Sequence, residues 1–361
     1  MKKLLALVLA GAMALSMVAC SGGNDKGGAD EGAEKLKVNL LCSQLGDKSF
    51  NDSADTALKA LKDAGEIEYV VREFGNDNSV VEQELMEAAE AGYDIVMCNN
   101  LGYGKATEWL RNNAETYPDT WFFVYDEPTD TVDAANVILL AYRANESDYL
   151  AGVVAAKESE TGVIGFVGGM ENPVIYDFLV GYIQGAKSVN PDVKVLVAYT
   201  DSYTDAQKGN ELGTTMLGQG ADVIHGVAGT AGNGALEAAA KAGKLCIGVD
   251  ADQYYTLKDG KPEVADRVIT SALKEVGKSL VSLVKEVEAG TLVKEGDRVW
   301  FAGEGAYVGI AENENYEKLA SDETKAAVEA AKAGLADGSI TVKSAYDMTT
   351  DEINRMVADA Q

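Results

Sequence analysis

An α/β architecture of two lobes, each a parallel sheet flanked by helices, is predicted by three features of the 361-residue chain. Short β-rich runs alternate with amphipathic helical stretches from Leu36 onward, a repetition that calls for parallel strands and right-handed crossovers. Runs such as WFFVYD (121–126) and NVILLA (136–141) are continuously apolar, as strands covered on both faces are. The length exceeds one ordinary core, and 47% hydrophobic against 25% charged residues supplies apolar surface for more than one.

In chain order, residues 1–20 (MKKLLALVLAGAMALSMVAC) have the basic start, apolar run and small residue of an export signal. The run is shorter than the roughly 20 residues of a comfortable bilayer span. Met17-Val18-Ala19-Cys20 resembles a bacterial lipoprotein cleavage box, which would make Cys20 the lipidated first residue; an ordinary signal peptide with an incidental Cys20 is the alternative. The Gly- and Asp-rich residues 21–35 are expected to be a flexible tether.

The strands expected next are KVNLL, IEYVVREF, YDIVMCN, WFFVYD and NVILLA, then GVIGFVG, VKVLVAY, ADVIHGV, LCIGVD, RVIT and RVWFAG. Five strand–helix units precede a break near residue 145 and four follow it. Among the helices, Ser79-Val80-Val81-Glu82 matches a capping box, and Asn172-Pro173 supplies a cap and a first-turn proline. After the latter, Ile175, Phe178, Leu179, Tyr182, Ile183 and Ala186 fall at helical spacing and form a core face. The C-terminal region is expected to add packing helices near 322–335 and 350–359.

Composition excludes several functions. With 31 Lys+Arg against 58 Asp+Glu the net charge is −27, and with no basic stripe a nucleic-acid partner is excluded. His225 is the single histidine, which disfavours a His-dependent triad or a multi-His metal site; it is expected to be a buried or wall residue. Cys42, Cys98 and Cys246 each fall in a strand and read as buried free thiols. No metal or cofactor is expected.

Ligands on parallel sheets bind beyond the carboxyl ends of the strands. Five loops there carry suitable groups, each with a plain structural reading beside it. In GDKSFNDS (46–53), Ser49 is placed to cap a helix with Asp52 at its third position, leaving Phe50 and Asn51 in the first turn. NNLGYG (99–104) sets Tyr103 in a hydrogen-bonding loop or simply makes a turn. TDSYTDAQKG (200–209) offers the Tyr203 ring to a planar ligand, with Asp201 or Asp205 as a helix cap. The glycine-rich turn at 226–239, with Gly229, fits neither the Gly-Lys-Ser/Thr phosphate loop nor the dinucleotide pattern. In GVDADQ (248–253), Asp250 and Asp252 share a face if the strand continues; gripping sugar hydroxyls suits a carboxylate there better than an incomplete metal site. TSALK places Lys274 in the first turn of a helix, where a cation gains nothing from the dipole and needs a ligand or Asp250 to explain it.

From Leu36 to Glu312 the sequence resembles the basic membrane protein family, the PnrA-like nucleoside-binding lipoproteins. The most specific segments are DKSFND, GFVGGMENPVIYDFLVGYIQGAKSVNPDVKV, SYTDAQKGNEL, GADVIHGVAGTAGNGALEAA, IGVDADQ and VITSALKEV. The resemblance implies a type I periplasmic-binding-protein fold and a lipid-anchored, extracytoplasmic, monomeric receptor, not an enzyme, that hands purine or other nucleosides to the permease of an ABC importer. By the same resemblance Phe50 and Tyr203 sandwich the base and Asn51 helps hold it. Asp250 and Lys274 bind the ribose hydroxyls, with help from Gly229 and Tyr103. It also suggests an N-terminal lobe of 36–145 and about 269–298, a C-terminal lobe of 146–268 and about 299–345, and a C-terminal helix over 346–361. Departures are Tyr203 in place of the usual Phe and the lack of the family's early Asp. A same-fold receptor for a sugar or signalling ligand, and an exported nucleoside-processing enzyme using Asp250 and Asp252, are the competing expectations.

Overall fold

The structure is a computed structural model that describes residues 34–75, 77–99, 104–128, 131–293, 298–300 and 307–361. The first sheet is built from β1 (Lys37–Cys42), β2 (Glu68–Glu73), β3 (Ile95–Asn99), β4 (Trp121–Tyr125) and β5 (Val137–Tyr142), with α1 (Phe50–Asp63), α2 (Val81–Glu90) and α3 (Lys105–Asn113) between them. The chain then enters the second lobe through α4 (Ala144–Glu158), β6 (Val163–Gly168), α5 (Pro173–Val189), β7 (Lys194–Tyr199), α6 (Ala206–Gly218) and β8 (Val223–Val227). It continues with α7 (Gly229–Lys241), β9 (Leu245–Asp250), α8 (Gln253–Lys258), α9 (Pro262–Ala265) and β10 (Val268–Lys274). After α10 (Val276–Glu288) come β11 (Arg298–Trp300), β12 (Val308–Ile310), α11 (Glu314–Leu319), α12 (Asp322–Asp337) and α13 (Thr350–Ala360).

The strand orders are β11-β5-β4-β3-β1-β2 and β12-β10-β9-β8-β6-β7, parallel throughout except for the β10–β12 pair. Every residue of β3, β5 and β8 is buried, as continuous apolar runs demand when helices cover both faces. One apolar cluster lies on each face of each sheet, Leu40 and Phe123 opposite Leu41 and Phe122 in the first, Phe166 and Ile247 opposite Ile224 and Cys246 in the second. Cys42, Cys98 and Cys246 are buried and free. All six periodic residues of α5 are buried, and Asn172 caps it by accepting from the Ile175 N–H at 3.0 Å.

The chain changes lobe later than its sequence suggests. Residues 269–274, expected in the first lobe, stay in the second sheet because Leu273 pairs with Asp250 and Lys274 with Val308. Only then does α10 cross to α1, where Gly277 N–H donates to Ser53 Oγ and the Tyr142 and Ser279 hydroxyls meet at 2.7 Å. Residues 299 and 300, expected in the second lobe, pair with Ala141 and Tyr142 of β5. The second lobe thus holds five parallel strands, closed by a three-residue antiparallel edge. The Ser79 capping box does not form: residues 78–80 make a 3-10 turn, and Asp77 accepts from the Ser79 N–H and hydroxyl instead. Among the described residues no helix is long and apolar enough to cross a membrane.

Candidate functional site

In each sheet the chain winds outward in both directions from a switch point, between β1 and β3 in one and between β6 and β8 in the other. A crevice opens at the carboxyl ends of such strands. Here the loops after β1, β2, β4, β6, β7 and β8 and the last residues of β9 and β10 line one shared cavity of about 280 Å³, close to the lower end of the size class of small-molecule sites. Phe50, Asn51, Tyr203, Gly229, Asp250 and Lys274 all line it, so six of the seven ligand-binding residues anticipated from sequence are brought together. Tyr103 lies outside the described residues, as does Cys20.

Local chemistry at the start of α1 differs from expectation. Ser49 makes no capping bond; Asp47 accepts instead from the backbone N–H groups of Ser49 (3.0 Å), Asn51 (2.8 Å) and Asp52 (3.2 Å). Two carboxylate oxygens satisfy three orphaned donors where one hydroxyl could not. Asp47 is buried, and burial pushes its carboxyl up despite those bonds. Asn51 is fixed from two sides, donating to Asp47 Oδ2 at 3.0 Å and accepting from Asn99 Nδ2 at 2.8 Å. The Phe50 ring leans on Tyr125, with centroids 5.5 Å apart.

Lys274 is the last residue of β10, not the first turn of a helix, because the ladders to β9 and β12 carry the strand through it. It is 2% exposed and reaches across the cleft to the first lobe, with Nζ 2.8 Å from Asp126 Oδ2. Asp250 Oδ1 lies 3.4 Å from the same nitrogen, an ion-pair contact without hydrogen-bond geometry. The ammonium also sits over the rings of Phe50 (4.6 Å) and Phe178 (4.9 Å). Burial opposes its charge, but Asp126 and Asp250 outweigh burial and hold its pKa above the usual lysine value. For Asp250 burial dominates: its carboxyl is pushed up to about 7, Lys274 pulling it down and Asp126 and Asp47 pushing it further up.

Tyr203 lies against the backbone of Gly169, where an added Cβ would come within 2.3 Å of the ring. Its hydroxyl accepts from Asn172 Nδ2 at 2.8 Å, so the cap of α5 also fixes the ring. Gly229, with φ +54°, starts α7. Among the described residues the non-glycine residues in the left-handed region are Lys48, just before the cap of α1, and Asp126, Asp201 and Asp250, which sit at or just past the carboxyl ends of strands and line the cavity. Backbone strain of this kind collects where a ligand is gripped.

Asp252 does not share a face with Asp250, since β9 ends at Asp250; Asp252 caps α8 and accepts from Asn313. Asp205 caps α6. His225 is fully buried in the second lobe, away from the cavity, with Nδ1 3.0 Å from the Ile247 carbonyl and Nε2 2.9 Å from Asp148 Oδ1. Asp47 and Asp126 were missed as site residues, and Asn172, read from sequence only as a helix cap, also lines the cavity and holds Tyr203. Asp126 directly follows WFFVY, so the strand-end rule that found Asp250 would have found it as well.

Residues 35–341 match the family model described as ABC transporter substrate-binding protein PnrA-like. The chain is 32% identical to the ABC transporter nucleoside-binding protein BmpA of Lactococcus lactis over 94% of its own length and 99% of that protein. It is 35% identical to Basic membrane protein A of Borreliella afzelii over 77% of this chain and 84% of that one. A crystal structure of an ABC transporter system solute-binding protein from Aeropyrum pernix K1 superposes with a TM-score of 0.75 at 24% identity, covering 90% of this chain and 99% of the other, a likeness of fold. The protein therefore belongs to the basic membrane protein family of PnrA-like ABC transporter substrate-binding proteins, which have the type I periplasmic-binding-protein fold and are receptors rather than enzymes.

Proposed function

We propose that this receptor captures nucleosides, purine nucleosides above all, between its lobes and delivers them to the permease of an ABC importer from the outer face of the cell membrane, as a monomer tethered by a lipid on Cys20. The observation that carries this reading is that Phe50 and Tyr203, aromatic residues from opposite lobes, line one cavity with the Asp250–Lys274–Asp126 cluster. The two rings are suited to enclose a planar base, with Asn51 offering its amide beside it. Asp250 Oδ1 accepts no hydrogen bond among the described residues and suits a ribose hydroxyl, while Lys274 and the backbone at Gly229 supply further polar contacts. The nucleoside-binding relative in Lactococcus lactis supports the same ligand class.

Stacking contributes roughly 1–3 kcal/mol per base, and a hydrogen bond to a charged group roughly 1.5–3 kcal/mol. Two rings with Asp250 and Lys274 reach about −8 kcal/mol after the cost of immobilising the ligand, a micromolar affinity or tighter. Isothermal titration with inosine, adenosine, cytidine and D-ribose tests the proposal. Purine nucleosides are expected to bind in that range, ribose alone far more weakly, and Asp250→Ala to abolish binding while urea unfolding stays cooperative. Preferential binding of ribose, or an Asp250→Ala variant with unchanged affinity, would overturn it.

A further inference from the structure

Two side chains of the second lobe reach across the cleft to one short piece of first-lobe backbone. Asn233 on α7 donates from Nδ2 to the Asp47 carbonyl at 2.9 Å, and Thr256 on α8 donates its hydroxyl to the Lys48 carbonyl at 2.7 Å. These carbonyls belong to consecutive residues that lead directly into Phe50 and Asn51. Lys48 takes φ +60°, a conformation unfavourable for lysine, and its N–H is held by Asp52 Oδ2 at 3.0 Å. The segment is therefore shaped from its own lobe and gripped from the other.

Asn233 is buried, and its amide is oriented by a chain of partners that leaves no freedom. Gln253 Oε1 accepts from the Val249 N–H at 3.0 Å, so the Gln253 amide nitrogen must point the other way and donate, to Asn233 Oδ1 at 2.8 Å. The Asn233 nitrogen is then the end that faces the Asp47 carbonyl, which can only accept. The backbone N–H of Gln253 is tied to Ser271 Oγ at 3.0 Å. A buried polar line thus runs from Ser271 on β10 and Val249 on β9, three residues before Lys274 and one before Asp250, through Gln253 and Asn233 to the loop that carries Phe50.

We infer that Asn233, oriented by Gln253, is a positioning residue that locks the Phe50 loop against the second lobe and so governs how slowly a captured ligand leaves. A ligand between Phe50 and Tyr203 escapes only when the lobes part, and parting requires the Asn233–Asp47 and Thr256–Lys48 bonds to break. The inference rests on the proposed function for the ligand's place between Phe50 and Tyr203 and for its probe, inosine.

Asn233→Asp keeps the volume and the acceptor for Gln253 but sets a carboxylate oxygen against the Asp47 carbonyl. Stopped-flow kinetics of this variant are expected to show inosine leaving about tenfold faster or more, the worth of one buried hydrogen bond, with the association rate within about twofold of wild type. Amide exchange should accelerate over residues 46–52 and not across the β-strands. Thr256→Val, an exposed change, is expected to move both readouts in the same direction by a smaller factor, and it carries the test should Asn233→Asp not fold. Unchanged dissociation in the folded variants, or exchange over 46–52 equal to wild type, would overturn the inference. If wild-type protein binds no inosine, the nucleoside reading fails, while the exchange comparison at 46–52 still decides whether Asn233 holds the loop.

Discussion

Replacing Lys274 with methionine removes one buried cation and strands two carboxylates. In the wild type Nζ stands 2.8 Å from Asp126 and 3.4 Å from Asp250, and all three residues are buried. Deleting one partner of such a cluster costs about 3–5 kcal/mol, because the remaining charge is left uncompensated. Lost contact with the faces of Phe50 and Phe178 adds about 0.5–2 kcal/mol, while the methionine stem refills most of the space. The pH dependence has a definite sign. The Asp250 carboxyl is held up to about 7 in the folded protein, against an ordinary value of 3.8, chiefly by burial and despite the pull of Lys274. Without Lys274 it rises further. A carboxyl raised by folding contributes stability at low pH that is lost as pH climbs through its folded pKa. Below about 7 both proteins keep the Asp250 proton, so this group adds little to the difference between them. Above it the wild type has released the proton and the variant has not, so the gap widens by up to about 1.4 kcal/mol per pH unit. Urea unfolding of both proteins at about pH 6 and about pH 8.5 measures this directly. A variant within about 1 kcal/mol of wild type at the higher pH, or a gap that narrows as pH rises, would refute the argument.

Two further outcomes are expected. Asn172→Ala removes both the cap of α5 and one hydrogen bond to the Tyr203 hydroxyl, so it should cost about 1 kcal/mol in urea unfolding and weaken inosine binding severalfold in titration; unchanged stability would show that the cap contributes nothing. Gly185→Ala would place a Cβ 1.9 Å from the Tyr149 carbonyl oxygen where α4 and α5 cross, and since a backbone atom cannot step aside the helices must separate. A loss of about 2–3 kcal/mol is expected, and a wild-type unfolding midpoint would contradict the close approach.

Some of the site was readable because one geometric rule places it. In a parallel sheet the carboxyl ends of the strands face the crevice, so Phe50, Tyr203, Gly229 and Asp250 could be chosen as strand-end residues before any contact was known. The same rule applied to WFFVYD would have added Asp126. Lys274 could not be placed in that way, because RVIT reads as a short strand and SALKEV as the opening of a helix. Its true position depends on β12, three residues with little pattern of their own. Capping differed at Ser49 and Ser79: at Ser49 a neighbouring aspartate took the helix donors that the local pattern had assigned to serine, and at Ser79 the serine donates its own N–H and hydroxyl to Asp77.

Period and apolar continuity along the chain determine that the strand–helix units from Leu36 onward build covered parallel sheets, and the cap at Asn172 determines where α5 starts, since both depend on neighbours within a few residues. Which lobe owns Lys274, which carboxylate meets it and how Asn233 reaches Asp47 depend on pairs separated by 148 and 186 positions. Burial in a shared cleft sets those energies, and no local stretch of sequence encodes the low-dielectric surroundings that two lobes create only when they meet.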